Sequence, residues 1–111
     1  MKTQAELLDL LRRKVRAPIE AHADEILDSF GDDNEALASF QRARADLDAL
    51  IHRLEHQEFR DIARQLESND AELRSGVEDL HQTLSAEKTL VRAARVFWRI
   101  VGLAARIVAL A

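Results

Sequence analysis

At 111 residues, with 47% hydrophobic and 32% charged side chains, the chain is sized for a single domain with one modest hydrophobic core. The absence of cysteine excludes a disulfide framework, a thiolate zinc site and a cysteine nucleophile. A formal net charge of −4 argues against sequence-independent nucleic-acid binding, which needs a net basic face to displace counterions.

The whole chain reads as helix. Thr3 and Glu6 form a capping box, and Leu8, Leu11, Val15, Ile19, Ile26 and Phe30 then follow one helical stripe. Pro18 lies inside that stretch and removes one backbone hydrogen bond, so a kink is expected there. Arg12, Arg13, Lys14 and Arg16 spread around the helix as a solvated basic cluster, and His22 falls on the apolar stripe as a hydrogen-bonded core histidine. Gly31 reads as a C-cap and Asp32 or Asp33 as the next N-cap.

The spacing predicts a second helix from there to about Glu67, with Leu37, Phe40, Leu47, Ile51, Leu54, Ile62 and Leu66 inward. Ser68-Asn69-Asp70, with Glu72 placed to close a box on Asn69, predicts the start of a third. Leu73, Val77, Leu80, Leu84 and Val91 then alternate by three and four, the spacing of a bundle seam.

Near Ser85 the pattern changes. Residues 88–111 hold five basic side chains and no acidic one, so this tail carries +5 against −9 for residues 1–87. Lys88, Arg92, Arg95, Arg99 and Arg106 fall within one sector of about 60° of a helix, and the remaining arc of about 300° is almost entirely apolar. The tail must therefore bury a face different from that of residues 73–84. Either the helix breaks at Ser85-Ala86-Glu87, with Ser85 as a fresh N-cap, or one long helix changes partners there. The expected fold is all-α: an antiparallel bundle of three long helices, the third either continuous or broken near Ser85. The two parts are an acidic helical bundle over 1–84 and a basic, strongly apolar amphipathic helix over 85–111.

Two short motifs invite a metal reading. His52-Arg53-Leu54-Glu55-His56 matches the His-x-x-Glu-His pattern of zinc peptidases, but its histidines point away from the Leu47–Leu54–Ile62 face, and solvent-facing histidines are the favoured reading. Glu78 and His81 make half of a di-iron carboxylate motif; with no second Glu-x-x-His in the chain, only a symmetric dimer could complete it. Glu55 and Glu58 are expected at a flank, paired with arginines of a neighbouring helix. There is no Gly-rich phosphate loop, no Gly-x-Ser-x-Gly and no aligned Ser/His/Asp set. No catalytic, cofactor or metal residue is assigned.

Three fates are open to the apolar tail. Residues 89–111 are long enough to span a bilayer, but four arginines cost roughly 10 kcal/mol against about 4 kcal/mol gained from the strong apolar residues, so a lone span is disfavoured. An in-plane helix would place Lys88, Arg92, Arg95, Arg99 and Arg106 at anionic headgroups, with Phe97, Trp98, Ile100, Leu103, Ile107 and Leu110 supplying the buried area. Burial in protein is the third fate, either in a homo-oligomer or as the central helix of a four-helix monomer.

The expected function is non-enzymatic: docking on or inserting into a membrane surface through the C-terminal helix, as an oligomer. The alternative is a soluble homo-oligomeric assembly or adaptor protein whose C-terminal helix is a protein interface. The partner is thus anionic lipid, a second copy or another helical protein, and not nucleic acid. Met1 to Glu6 lacks the apolar stretch of a signal peptide. Arginine outnumbers lysine thirteen to three, a usage associated with GC-rich bacterial genomes. A cytoplasmic location is expected, peripheral to or inserted in the inner membrane if the tail meets lipid.

Overall fold

The computed structural model describes residues 1–86 and 90–111, and among these every regular element is helical. The chain opens with α1 (Gln4–Leu10), widens into a π-helical segment (Leu11–Arg16), and continues as α2 (Ala17–Ala21) and α3 (Ala23–Ser29). Thr3 accepts from the backbone N–H of Glu6 at 3.1 Å, as the capping box predicts. The disturbance expected at Pro18 takes two forms. Upstream, the Ala17 N–H reaches back five residues to the Arg12 carbonyl, the bond pattern of a π turn. Downstream, His22 leaves helical geometry at φ −112° and its Nδ1 lies 2.9 Å from the Pro18 carbonyl oxygen. Leu7, Leu11, Val15, Ile19 and Ile26 stay fully buried through both irregularities.

Gly31, at φ +57°, turns the chain as a left-handed helix stop requires. Asp33 then caps α4 (Asn34–His56) by accepting from the Ala36 N–H at 3.0 Å. The contacts between the first helical stretch and α4 run in opposite sense along the chain. Gln4 bonds the Leu54 carbonyl, Arg12 pairs with Glu55, Arg16 with Asp48 and Glu20 with Arg44.

α4 ends at His56, not at Glu67. Gln57 is extended at φ −129°, and helix resumes only at α5 (Ile62–Ser85). The cause lies far away in sequence. The Gln4 side-chain amide donates to the Leu54 and Gln57 carbonyls and accepts from the Phe59 N–H, satisfying backbone groups that the break releases. Phe59 packs half-buried against the core, with the Arg53 guanidinium 5.5 Å from its ring centre.

The start expected at Ser68-Asn69-Asp70 is consequently mid-helix. Ser68 Oγ and Asn69 Nδ2 bond back to the Arg64 and Gln65 carbonyls, at 3.1 and 2.7 Å, instead of capping forward. Asp70 pairs with Arg74 one turn on, at 2.9 Å, and with the N-terminal ammonium at 3.1 Å. These bonds hold its carboxyl below the usual carboxylate range, Arg74 first and the ammonium second.

α5 ends at Ser85, where Ala86 turns extended. Ser85 closes this helix, its Oγ donating to the His81 carbonyl at 2.8 Å, and so is not the fresh N-cap. The last helix is α6 (Leu90–Leu110). It runs back along α5: Arg92 and Arg99 reach Asp79, and Arg106 lies 3.8 Å from Glu72. At Gly76 the two helices approach so closely that an added Cβ would sit 3.1 Å from Ile100 Cγ1. α6 also packs on α3 and α4, where Phe30, Phe40 and Phe97 form an edge-to-face series with ring centres 5.8 Å apart at each step.

Candidate interaction face on the C-terminal helix

α6 divides lengthwise into two halves. Ala93, Ala94, Val96, Phe97, Ile100, Val101, Leu103, Ala104, Ile107 and Val108 are buried in the chain's own core. Against water lie Val91, Arg92, Arg95, Trp98, Arg99, Gly102, Ala105, Arg106, Ala109 and Leu110. The core half is what makes α6 central. Removing it would uncover the inner faces of α3, α4 and α5 together.

The predicted site residues therefore separate. Phe97, Ile100, Leu103 and Ile107 lie between 0 and 9% exposed, facing α5 and the aromatic corner, where they are not available to an acyl layer while the helices stay packed. Trp98 and Leu110 are 60% and 61% exposed. Arg92, Arg95, Arg99 and Arg106 all lie on the outer side. Lys88 lies outside the described residues.

The outer side carries two parallel rows. Val91, Arg95, Trp98, Gly102, Ala105 and Ala109 follow one another by four, three, four, three and four, the spacing of a helix-pairing seam. Arg92, Arg99 and Arg106 recur every seven residues along the side nearest α5. Their charge is largely matched locally: Arg92 and Arg99 share Asp79 at 3.5 and 3.4 Å, and Arg106 faces Glu72 at 3.8 Å. Arg95 has no carboxylate at ion-pair distance among the described residues; it borders a cleft with Trp98, Phe30, Phe40 and Asp33. The first row was missed in the sequence because three of its six members are small. Its signal was the 4-3 spacing itself, continuing past Val91 on the face opposite the core.

Elsewhere the sequence motifs are occupied by structural partners. Glu55 of the His-x-x-Glu-His stretch is paired with Arg12, while His52 and His56 lie exposed, ring against ring at 4.4 Å. His81 of the Glu-x-x-His stretch contacts the Lys14 carbonyl oxygen at 2.9 Å. Among the described residues no three His, Asp or Glu side chains converge as a metal site. The basic cluster near the N-terminus is ion-paired: Arg12 with Glu55, Arg13 with Asp9 and Arg16 with Asp48. Glu20 and Arg44 form a two-pronged bridge at 3.0 and 2.6 Å, which raises the Arg44 pKa above its ordinary value. No helix among the described residues is long and apolar enough to cross a membrane.

The chain is thus all-α, with an exposed seam on a helix whose other side is core. Comparison with protein-family models, with curated proteins and with solved structures finds no match.

Proposed function

We propose that this chain is a non-enzymatic interaction protein that works through the outer face of α6, as a homo-oligomeric assembly or adaptor module. Its architecture is read as an antiparallel bundle in which the break after Ser85 folds the basic, apolar helix back on the acidic remainder. One observation carries the reading: Val91, Arg95, Trp98, Gly102, Ala105 and Ala109 all face water at seam spacing. An exposed strip centred on a tryptophan and flanked by arginines has the composition of a protein-binding hot spot.

Docking on an anionic membrane surface is the second reading, favoured by Trp98 at 60% exposure beside four outward arginines on a helix with no acidic residue. Asp79 and Glu72 weaken it, because their two negative charges already offset part of the charge on Arg92, Arg99 and Arg106 and reduce the attraction for lipid phosphate. In this reading the closed bundle docks by its arginines, Trp98 and Leu110. Use of Phe97, Ile100, Leu103 and Ile107 would require α6 to leave the core.

Co-sedimentation with anionic liposomes at low salt, paired with light scattering in their absence, separates the two. The interaction-protein reading expects a discrete soluble oligomer and no pelleting with lipid. Pelleting by monomeric protein that Arg95→Glu plus Arg99→Glu abolishes would replace it with the membrane reading.

A further inference from the structure

The outer strip of α6 is graded. Its N-terminal half is large (Val91, Arg95, Trp98), and its C-terminal half is small (Gly102, Ala105, Ala109). We propose that α6 pairs with α6 of a second copy, antiparallel, about a two-fold axis level with Ile100. The inference rests on the reading of this strip as a protein-docking face, and it specifies the occupant and the register.

In that register each large side chain lies over a small one. Trp98 covers the partner's Gly102, Arg95 lies over the partner's Ala105, and Val91 meets the partner's Ala109. The same three contacts recur on the other side of the axis, which is the self-complementarity a two-fold interface requires. A parallel pair fails on the same residues. It sets tryptophan on tryptophan and Arg95 on Arg95, holding the helices apart at one end and leaving a gap at the small end. Antiparallel alignment also opposes the two helix dipoles.

Gly102 is the second observation. An exposed glycine in a helix interior weakens the helix, and nothing among the described residues asks for one here: a Cβ built at Gly102 meets none of their atoms within 4 Å. Gly76, by contrast, is explained within the chain by Ile100. A tryptophan of a second copy seated on residue 102 supplies the missing reason.

Charge is the third. Arg95 is the α6 arginine without a carboxylate at ion-pair distance among the described residues. In the proposed register it lies level with the partner's Ala105, next in sequence to Arg106, which faces Glu72 at 3.8 Å, so the partner's Glu72, 68% exposed, is the carboxylate nearest that level. The Arg92, Arg99 and Arg106 row lies at the edge of the paired helices, each member already next to a carboxylate of α5. About 27 Å of helix, from residue 91 to 109, is in contact along each copy.

The test uses the full chain in sedimentation equilibrium over a concentration series. Wild type is expected to dimerise, and Gly102→Leu and Trp98→Gly each to weaken dimerisation at least tenfold. Positions 98 and 102 are exposed, so the fold of both variants is checked by circular dichroism. The exchange Trp98→Gly with Gly102→Trp restores the large-on-small pairing, and with it the dimer.

Because the chain lacks cysteine, Val91→Cys and Ala109→Cys give an independent readout. A mixture of the two oxidises to a mixed disulfide faster than either alone if the register is right. Wild type that stays monomeric throughout the series overturns the proposal, as does a Gly102→Leu chain that dimerises like wild type. A dimer in which Val91→Cys links best to itself overturns the antiparallel register but leaves the docking-face reading standing. Monomeric protein whose Trp98 emission shifts only with anionic vesicles overturns both.

Discussion

His81 Nε2 lies 2.9 Å from the carbonyl oxygen of Lys14, the acceptor whose usual helical donor would be the N–H that Pro18 lacks. α5 thus repairs a defect in the first helical stretch, and the repair fixes where the two meet. His81→Ala is expected to lower stability by about 1 kcal/mol. In a Pro18→Ala background, where the helix can serve Lys14 itself, the cost should shrink. A urea double-mutant cycle checks this, and equal costs in both backgrounds would refute it.

The two helical glycines should respond oppositely to alanine. Gly102→Ala is expected to stabilise the single copy by about 0.5–1 kcal/mol, because it gains helix propensity and meets nothing. Gly76→Ala should bring no such gain, since its Cβ would crowd Ile100, a residue only 2% exposed. Thermal unfolding at dilute protein concentration reads both.

Adjacent aromatic residues make the division of α6 measurable. Phe97, fully buried, should cost about 3–5 kcal/mol on change to alanine, a large share of the roughly 5–15 kcal/mol that holds a domain folded. Trp98→Ala should change the stability of the dilute single copy by no more than about 0.5 kcal/mol. Similar losses at both positions would contradict the division.

Asp70 sets an acid-side dependence. Arg74 and the N-terminal ammonium lower its folded pKa below the ordinary carboxylate value of 3.8. The stabilisation is therefore complete above that value and is lost as pH falls through the lower, folded one. The stability difference between wild type and Asp70→Asn should be steady near neutrality and shrink below about pH 4. A difference that persists unchanged into stronger acid would assign the effect of Asp70 to something other than charge.

Much of the fold was legible because its determinants are local. The Thr3–Glu6 and Gly31–Asp33 signals sit within four residues of the geometry they dictate, and the end of α5 at Ser85 coincides with the change of charge and periodicity. The break at 57–61 was not, because its hydrogen bonds come from Gln4, fifty or more residues away. One clue was present: a continuous helix would have put Gln57, Glu58 and Asp61 on the face between Leu54 and Ile62.

The same distinction holds for the site. The arginine sector correctly marked the wet side of α6 at Arg92, Arg95, Arg99 and Arg106. With apolar side chains around the rest of the helix, nothing local told Trp98 and Leu110 apart from Phe97, Ile100, Leu103 and Ile107. That assignment depends on where α3, α4 and α5 stand.

Whether protein, lipid or open solvent covers the outer strip of α6 is read most simply at Trp98. Trp98 is the sole tryptophan, so its emission reports the state of that strip alone. Pairing through this strip gives a solvent-exposed maximum in dilute protein that moves to shorter wavelength as protein concentration rises, without lipid. A maximum that stays fixed across the whole concentration range, and moves only when anionic vesicles are added, would contradict it.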